Sequence, residues 1–266
     1  MARASGHSNE AEQMSRVVLV HGAFNELWGP NEIASRWVPA LRDGLWHAGV
    51  DVSPDDVSVA FYGDLFRLDP DSGEVQDPAD LAAKSGLMDV VRSMPGIQGI
   101  ETIAKAVGDA ANERLMDQAG RFLAAGDVRR KVRARVDAQL NERTEVVVAH
   151  SLGTIVSYLI LADRPELSPA LVTMGSPLAS PFVFDQLKPA PEDGVGVWPG
   201  GVRSWTNIVA VGDPACGGGK GFGRRFGDAV VEHTIDNGHR AHDPEPYLNA
   251  AATGRAIARG LGLIDG

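Results

Sequence analysis

Short runs of apolar, β-branched residues alternate along this chain with longer stretches whose apolar positions recur at helical spacing. Arg16-Val17-Val18-Leu19-Val20-His21-Gly22 is the first run, continuous and closed by glycine, as expected for a parallel strand buried on both faces. A helix is expected over 31–48, where Ile33, Trp37, Leu41 and Leu45 lie four apart, and Val57-Ser58-Val59-Ala60-Phe61 is the next strand. Val128, Val132, Val136 and Leu140 form a further helical stripe whose intervening Arg and Lys read as a solvated face. A strand over 145–149 runs into a helix over 152–162. Leu171-Val172-Thr173-Met174 and Trp205-Thr206-Asn207-Ile208-Val209-Ala210-Val211 are further buried strands, Val230-Val231-Glu232-His233-Thr234-Ile235 is a weaker one, and a final helix spans 246–261.

Strands alternating with helices predict an α/β fold, a mostly parallel sheet flanked by helices. One stretch breaks the alternation. From 63 to 125 no strand is signalled, and Ile100, Ile103, Val107, Ala111 and Leu115 keep helical spacing. This segment reads as a helical insertion, a packing subdomain or a lid over a substrate pocket. Residues 1–15 read as a flexible tail and 16–266 as one domain carrying the insertion. In open sheets of this kind chemistry gathers at the carboxyl ends of the strands, so the residues just after 20, 149, 174 and 211 are the ones to inspect.

Composition narrows the classes. The net charge of −10 gives no electrostatic support to nucleic-acid or anionic-membrane binding. The single Cys216 excludes an internal disulfide and a cysteine zinc site. The polar N-terminus lacks the apolar core of a secretory signal, and no run of about 18 apolar residues suggests a membrane span. The expectation is a cytoplasmic protein with no integral membrane association.

The chemistry centres on Ala149-His150-Ser151-Leu152-Gly153, which sets one serine at the apex of a strand-to-helix turn, with small residues on either side where the backbone is crowded. A serine hydroxyl needs a base to take its proton and a third group to orient that base. Of seven histidines, His7 lies in the tail and His47 in an early helix. His150 is expected to point away from Ser151, His21 to shape its loop, and His233 to sit within a strand. The polar loop Asp236-Asn237-Gly238-His239-Arg240-Ala241-His242-Asp243 follows the last strand. His242 is preferred as base because it immediately precedes the final helix, with His239 in reserve. Asp213, directly after the strand 205–211, is the orienting acid, and Asp185 is the alternative. Oxyanion donors are expected from the amide of Leu152, at a helix start where N–H groups are unpaired, and from Ala23, or Phe24 beside it.

These residues, Val-His-Gly-Ala at 20–23, Ala-His-Ser-Leu-Gly at 149–153, Asp213 and His242 in that order, resemble the α/β-hydrolase superfamily, and more narrowly its lipase- and esterase-like branch. Gly175-Ser176-Pro177-Leu178 and the run from His242 to Tyr247-Leu248 agree. Ala149 departs from the glycine usual at the elbow, and the insertion lies earlier than in many relatives. The resemblance implies a serine hydrolase cleaving a carboxylic ester of a small-molecule substrate with no cofactor or metal, and the apolar 87–123 segment points to a hydrophobic acyl group. Acyl transfer by the same residues, or a non-catalytic binding module on this fold, are the alternatives. The binding module predicts a base held beyond about 5 Å from Ser151, out of hydrogen-bond reach. Cys216-Gly217-Gly218-Gly219-Lys220-Gly221 lacks the spacing of a phosphate loop. The 68–73 stretch misses the calcium-loop register, and His239-x-x-His242 lacks the companions of a metallohydrolase site.

Overall fold

The computed structural model describes residues 15–67, 117–124, 126–216 and 221–265. Among the described residues six strands form one sheet: β1 (Val17–Val20), β2 (Val57–Ala60), β3 (Val146–His150), β4 (Ala170–Met174), β5 (Ser204–Ala210) and β6 (Val230–Ile235). Their order across the sheet is β2-β1-β3-β4-β5-β6, and every neighbouring pair is parallel. The fold is α/β, as the alternation predicts. β1, β3 and β4 are buried at every position, which is why they read as unbroken apolar runs. β6 is an edge strand with outward-facing Val231 and Glu232, which explains its weaker pattern.

Helices cover both faces. α1 (Pro30–Trp46) packs Ile33, Trp37, Leu41 and Leu45 on one face, against Leu19, Val146 and Val148. On the other face lie α2 (Asp127–Asp137), through Val132 and Val136, and α3 (Leu152–Ala162), through Ile155 and Val156. The short helices α4 (Pro181–Phe184) and α5 (Phe222–Phe226) join that second core around Trp205. Each fully buried Leu, Ile or Phe contributes about 1.5–3 kcal/mol relative to exposure, so both cores are large contributors to stability.

The expected final helix over 246–261 is two helices, α6 (Pro244–Asn249) and α7 (Ala251–Gly260), separated by an extended Ala250. The corner lets both press closely on α1. A Cβ on Gly254 would lie 1.8 Å from the Gly44 carbonyl oxygen, and one on Gly44 would lie 2.2 Å from that of Leu248. Helical periodicity carries no signal for such a corner, because both halves keep the same apolar face. The expected insertion over 63–125 falls mostly outside the described residues, as do Ile100, Ile103, Val107, Ala111 and Leu115, and so does the tail up to residue 14. At its two margins, a 3₁₀ turn (Gly63–Phe66) and helical residues 117–123 place Phe66 and Phe122 in the core. Among the described residues, no helix is long and apolar enough to cross a membrane.

The strand order reverses beside β1. The chain leaves β1 for β2 on one side, then returns to the other side for β3. A crevice opens at such a switch point, outside the carboxyl ends of β1 and β3. His21-Gly22 and Ser151 follow those two strand ends.

Candidate active site

Ser151 sits between β3 and α3 with φ 52° and ψ −125°, a conformation that costs a non-glycine residue on the order of 1–3 kcal/mol. Its surroundings hold it there. The Ser151 N–H donates to the Met174 carbonyl at 3.0 Å, and its own carbonyl accepts from the Thr154 amide at 2.9 Å and the Thr154 hydroxyl at 2.7 Å. Two glycines are required by space. A Cβ on Gly153 would lie 2.4 Å from the Val20 carbonyl oxygen, and a Cβ on Gly22 would lie 2.7 Å from Ser151 Cβ. The small residue expected at 153 is therefore demanded by the back of the β1 strand end.

His242, in the loop before α6, lies with Nε2 3.0 Å from Ser151 Oγ and Nδ1 2.9 Å from Asp213. Asp213 follows β5 and is buried. Burial pushes its carboxyl up. The hydrogen bond and charge of His242, the Tyr247 hydroxyl at 2.5 Å and the Ala215 amide at 2.8 Å outweigh that, and the group stays below its ordinary range. An ionised carboxylate only accepts, so His242 Nδ1 carries the proton and the lone pair of Nε2 faces the serine hydroxyl. Gly175, at φ 54°, passes behind this pair. A Cβ there would lie 2.9 Å from Asp213 Oδ2 and 3.2 Å from His242 Cε1.

The two reserve residues lie elsewhere. His239 is exposed on the turn Gly238–Arg240, and Asp185 is exposed at the end of α4. The choice between the histidines depended on where one loop turns inward, which residue type does not reveal. The His150 ring packs on His242, with centroids 4.8 Å apart, and edge-on to Trp37. Burial, and then the nearby His242, hold it at a pKa of about 3, so it stays neutral. Among the described residues, no three His, Cys, Asp or Glu side chains are grouped to hold a metal ion.

The loop after β1 is built by side chains. His21 Nε2 accepts from the Tyr62 amide at 3.0 Å, so its proton is on Nδ1, which donates to the Gly22 carbonyl at 2.8 Å. Burial lowers its pKa to about 4 and keeps it neutral. Asn25 Nδ2 donates to the carbonyls of Gly22 at 3.1 Å and Ala23 at 2.9 Å. In a trans peptide the N–H points opposite to the carbonyl, so these bonds set the direction of the Ala23 and Phe24 amides. Phe24 adopts a positive φ of 63°, and both residues line the cleft containing Ser151. The Leu152 amide begins α3, where no intrahelical acceptor exists.

The cleft encloses about 310 Å³ between the β1 loop, α1 and the His242 loop, with Phe24, Trp28, Ile33 and Trp37 as apolar walls. At its mouth Arg36 pairs with Glu245 at 2.5 Å and lies 4.6 Å over the Trp28 ring. Two contributors were missed in the sequence. Asn25 three residues after Gly22 was one local signal, because asparagine often binds nearby backbone. Tyr247 was noted only as part of the run into the last helix, and its bond to Asp213 spans 34 residues.

Comparison of the sequence with protein-family models and with curated proteins finds no match in either.

Proposed function

We propose that this protein is a serine hydrolase of the α/β-hydrolase type, cleaving a carboxylic ester through an acyl-enzyme. The observation that carries the reading is the hydrogen-bonded series from Ser151 Oγ through His242 to Asp213, at 3.0 and 2.9 Å, built on an elbow with a positive φ. Ser151 attacks the acyl carbon as His242 Nε2 takes its proton. Asp213 keeps the ring in the required tautomer and stabilises the imidazolium. The Leu152 amide and one from Ala23 or Phe24 stabilise the tetrahedral oxyanion, a type of contribution that is about 2.7–4 kcal/mol per donor in related chemistry. His242 then returns the proton to the leaving alcohol, and water repeats the sequence on the acyl-enzyme.

The aromatic walls of the cleft favour a hydrophobic acyl or alcohol group. A binding-only protein has no need of a base within reach of the serine, and the 3.0 Å separation weighs against that alternative. The test is covalent labelling by a fluorophosphonate, with hydrolysis of p-nitrophenyl esters of increasing chain length measured beside it. Wild type is expected to label and Ser151→Ala to lose labelling. Equal labelling of the two proteins would remove Ser151 as nucleophile. Analysis of products with an added alcohol distinguishes hydrolysis from acyl transfer.

A further inference from the structure

A second cavity of about 360 Å³ lies between Asn207 and Val209 of β5, the segment 176–181 after β4, and α5. It shares no lining residue with the Ser151 cleft. Its lining is polar but one-sided. Arg224, Arg225, Asn207 and Ser180 face it, and among the described residues no carboxylate lines it.

Asn207 is fully buried, and the shorter of the two Thr173 hydroxyl bonds, to Asn207 Oδ1 rather than to the Thr206 carbonyl at 3.5 Å, favours leaving the nitrogen end of its amide available. Trp205 Nε1 can only donate, and it does so to Thr173 Oγ1 at 3.0 Å. The Thr173 hydroxyl then spends its own hydrogen on Asn207 Oδ1 at 2.8 Å. The amide oxygen is thereby taken, and Nδ2, a donor of two hydrogens, has no partner among the described residues. Ser180 Oγ is likewise buried without one. Neither Arg224 nor Arg225 has a carboxylate partner among the described residues, and Arg225 instead lies 4.2 Å over the Phe184 ring. Two arginines and a buried amide donor with no paired carboxylate among the described residues stand out on a chain with a net charge of −10, while the Glu232 carboxylate, on the strand beside Asn207, accepts from the Gly223 amide at 2.8 Å. Val209, Pro181 and Phe222 supply an apolar wall to the same space.

We propose that this cavity is a binding site for a small organic anion, separate from the Ser151 cleft. The oxyanion accepts from Asn207 Nδ2 and the arginines, and the hydrocarbon part lies on Val209 and Phe222. A planar guanidinium suits a carboxylate or phosphate in a way that no neutral group matches.

Calorimetric titration of the whole chain with hexanoate, hexanamide and inorganic phosphate tests this. Hexanoate is expected to bind saturably in the millimolar range or tighter, at least tenfold better than hexanamide, and to weaken as salt rises. Phosphate is expected to compete with it. The double variant R224Q/R225Q should lose at least tenfold in affinity, while R36Q, altered in the other cleft, should bind normally. If the double variant unfolds, R224E, an exposed charge reversal, gives the same reading. The proposal fails if hexanamide binds as well as hexanoate or if the arginine variants bind unchanged. It also fails if R36Q rather than R224Q/R225Q abolishes binding, which would put the anion beside Ser151. Because the readout is binding, a failure of the hydrolase reading leaves it standing, and the reverse also holds.

Discussion

Removing one oxygen from Tyr247 tests how the acid is held. The ring is buried at the start of the last helical pair, and its hydroxyl donates to Asp213 Oδ2 at 2.5 Å while accepting from the Ala210 amide at 2.8 Å. Tyr247→Phe preserves the ring but deletes both bonds. A hydrogen bond to a charged group contributes about 1.5–3 kcal/mol, and a buried amide left unpaired costs about 1–3 kcal/mol. Relaxation recovers part of this, so the expected loss is about 3 kcal/mol. For 266 residues the unfolding entropy is about 0.56 kcal/mol/K, which converts the loss to a fall in Tm of about 5 °C. Tyr158→Phe is the internal control, because that buried hydroxyl makes one neutral bond, to the Val197 carbonyl at 2.6 Å. It should cost about 1 kcal/mol, or about 2 °C. Calorimetric unfolding of the three proteins at neutral pH makes the comparison. A Tyr247→Phe shift no larger than that of Tyr158→Phe would refute the argument that the bond to Asp213 is charge-assisted and structurally important.

Gly153→Ala should lose about 1–3 kcal/mol, because its Cβ would meet the carbonyls of Val20 and His21 at 2.4 and 2.5 Å and displace the elbow. Urea unfolding and the rate of fluorophosphonate labelling should both fall, and unchanged values would show that the elbow has slack. Acid should destabilise the fold from about pH 6.5 downward. His21 and His150 are held neutral to about pH 4 and about pH 3, whereas unfolded histidine takes its proton near 6.5. Over that window the unfolded state binds more protons, so stability rises with pH, by at most about 1.4 kcal/mol per pH unit for each histidine. Asp213, with its carboxyl held low, adds to the loss only below about pH 3.9, its unfolded value. Urea midpoints measured from pH 8 to 4 check the sign, and replacing both histidines by glutamine should remove most of the slope between about pH 6.5 and 5, above the range in which carboxylates held low by their partners begin to add to it.

The residue pattern alone carried the class of fold, because strands buried on both faces must be continuously apolar, and β1, β3 and β4 are. It also carried the elbow, since the crowding around Ser151 restricts the residue types that fit at 153 and 22. Asp213 and His242 were legible as polar residues after strand ends, though nothing in the pattern excludes Asp185 or His239, which sit in similar loops. Tertiary structure brings His242 and Asp213 together beside Ser151 and leaves His239 and Asp185 exposed. Pairings across 91 residues for His242–Ser151 and 29 for His242–Asp213 depend on where loops end in space, which local periodicity does not encode. The same holds for the Tyr247 bond, the packing of His150 on His242 and the corner at Ala250. Asn207 is the clearest case. Within β5 it reads as one of three polar positions, and it takes the indole of Trp205 and the hydroxyl of Thr173 to favour one orientation of its amide.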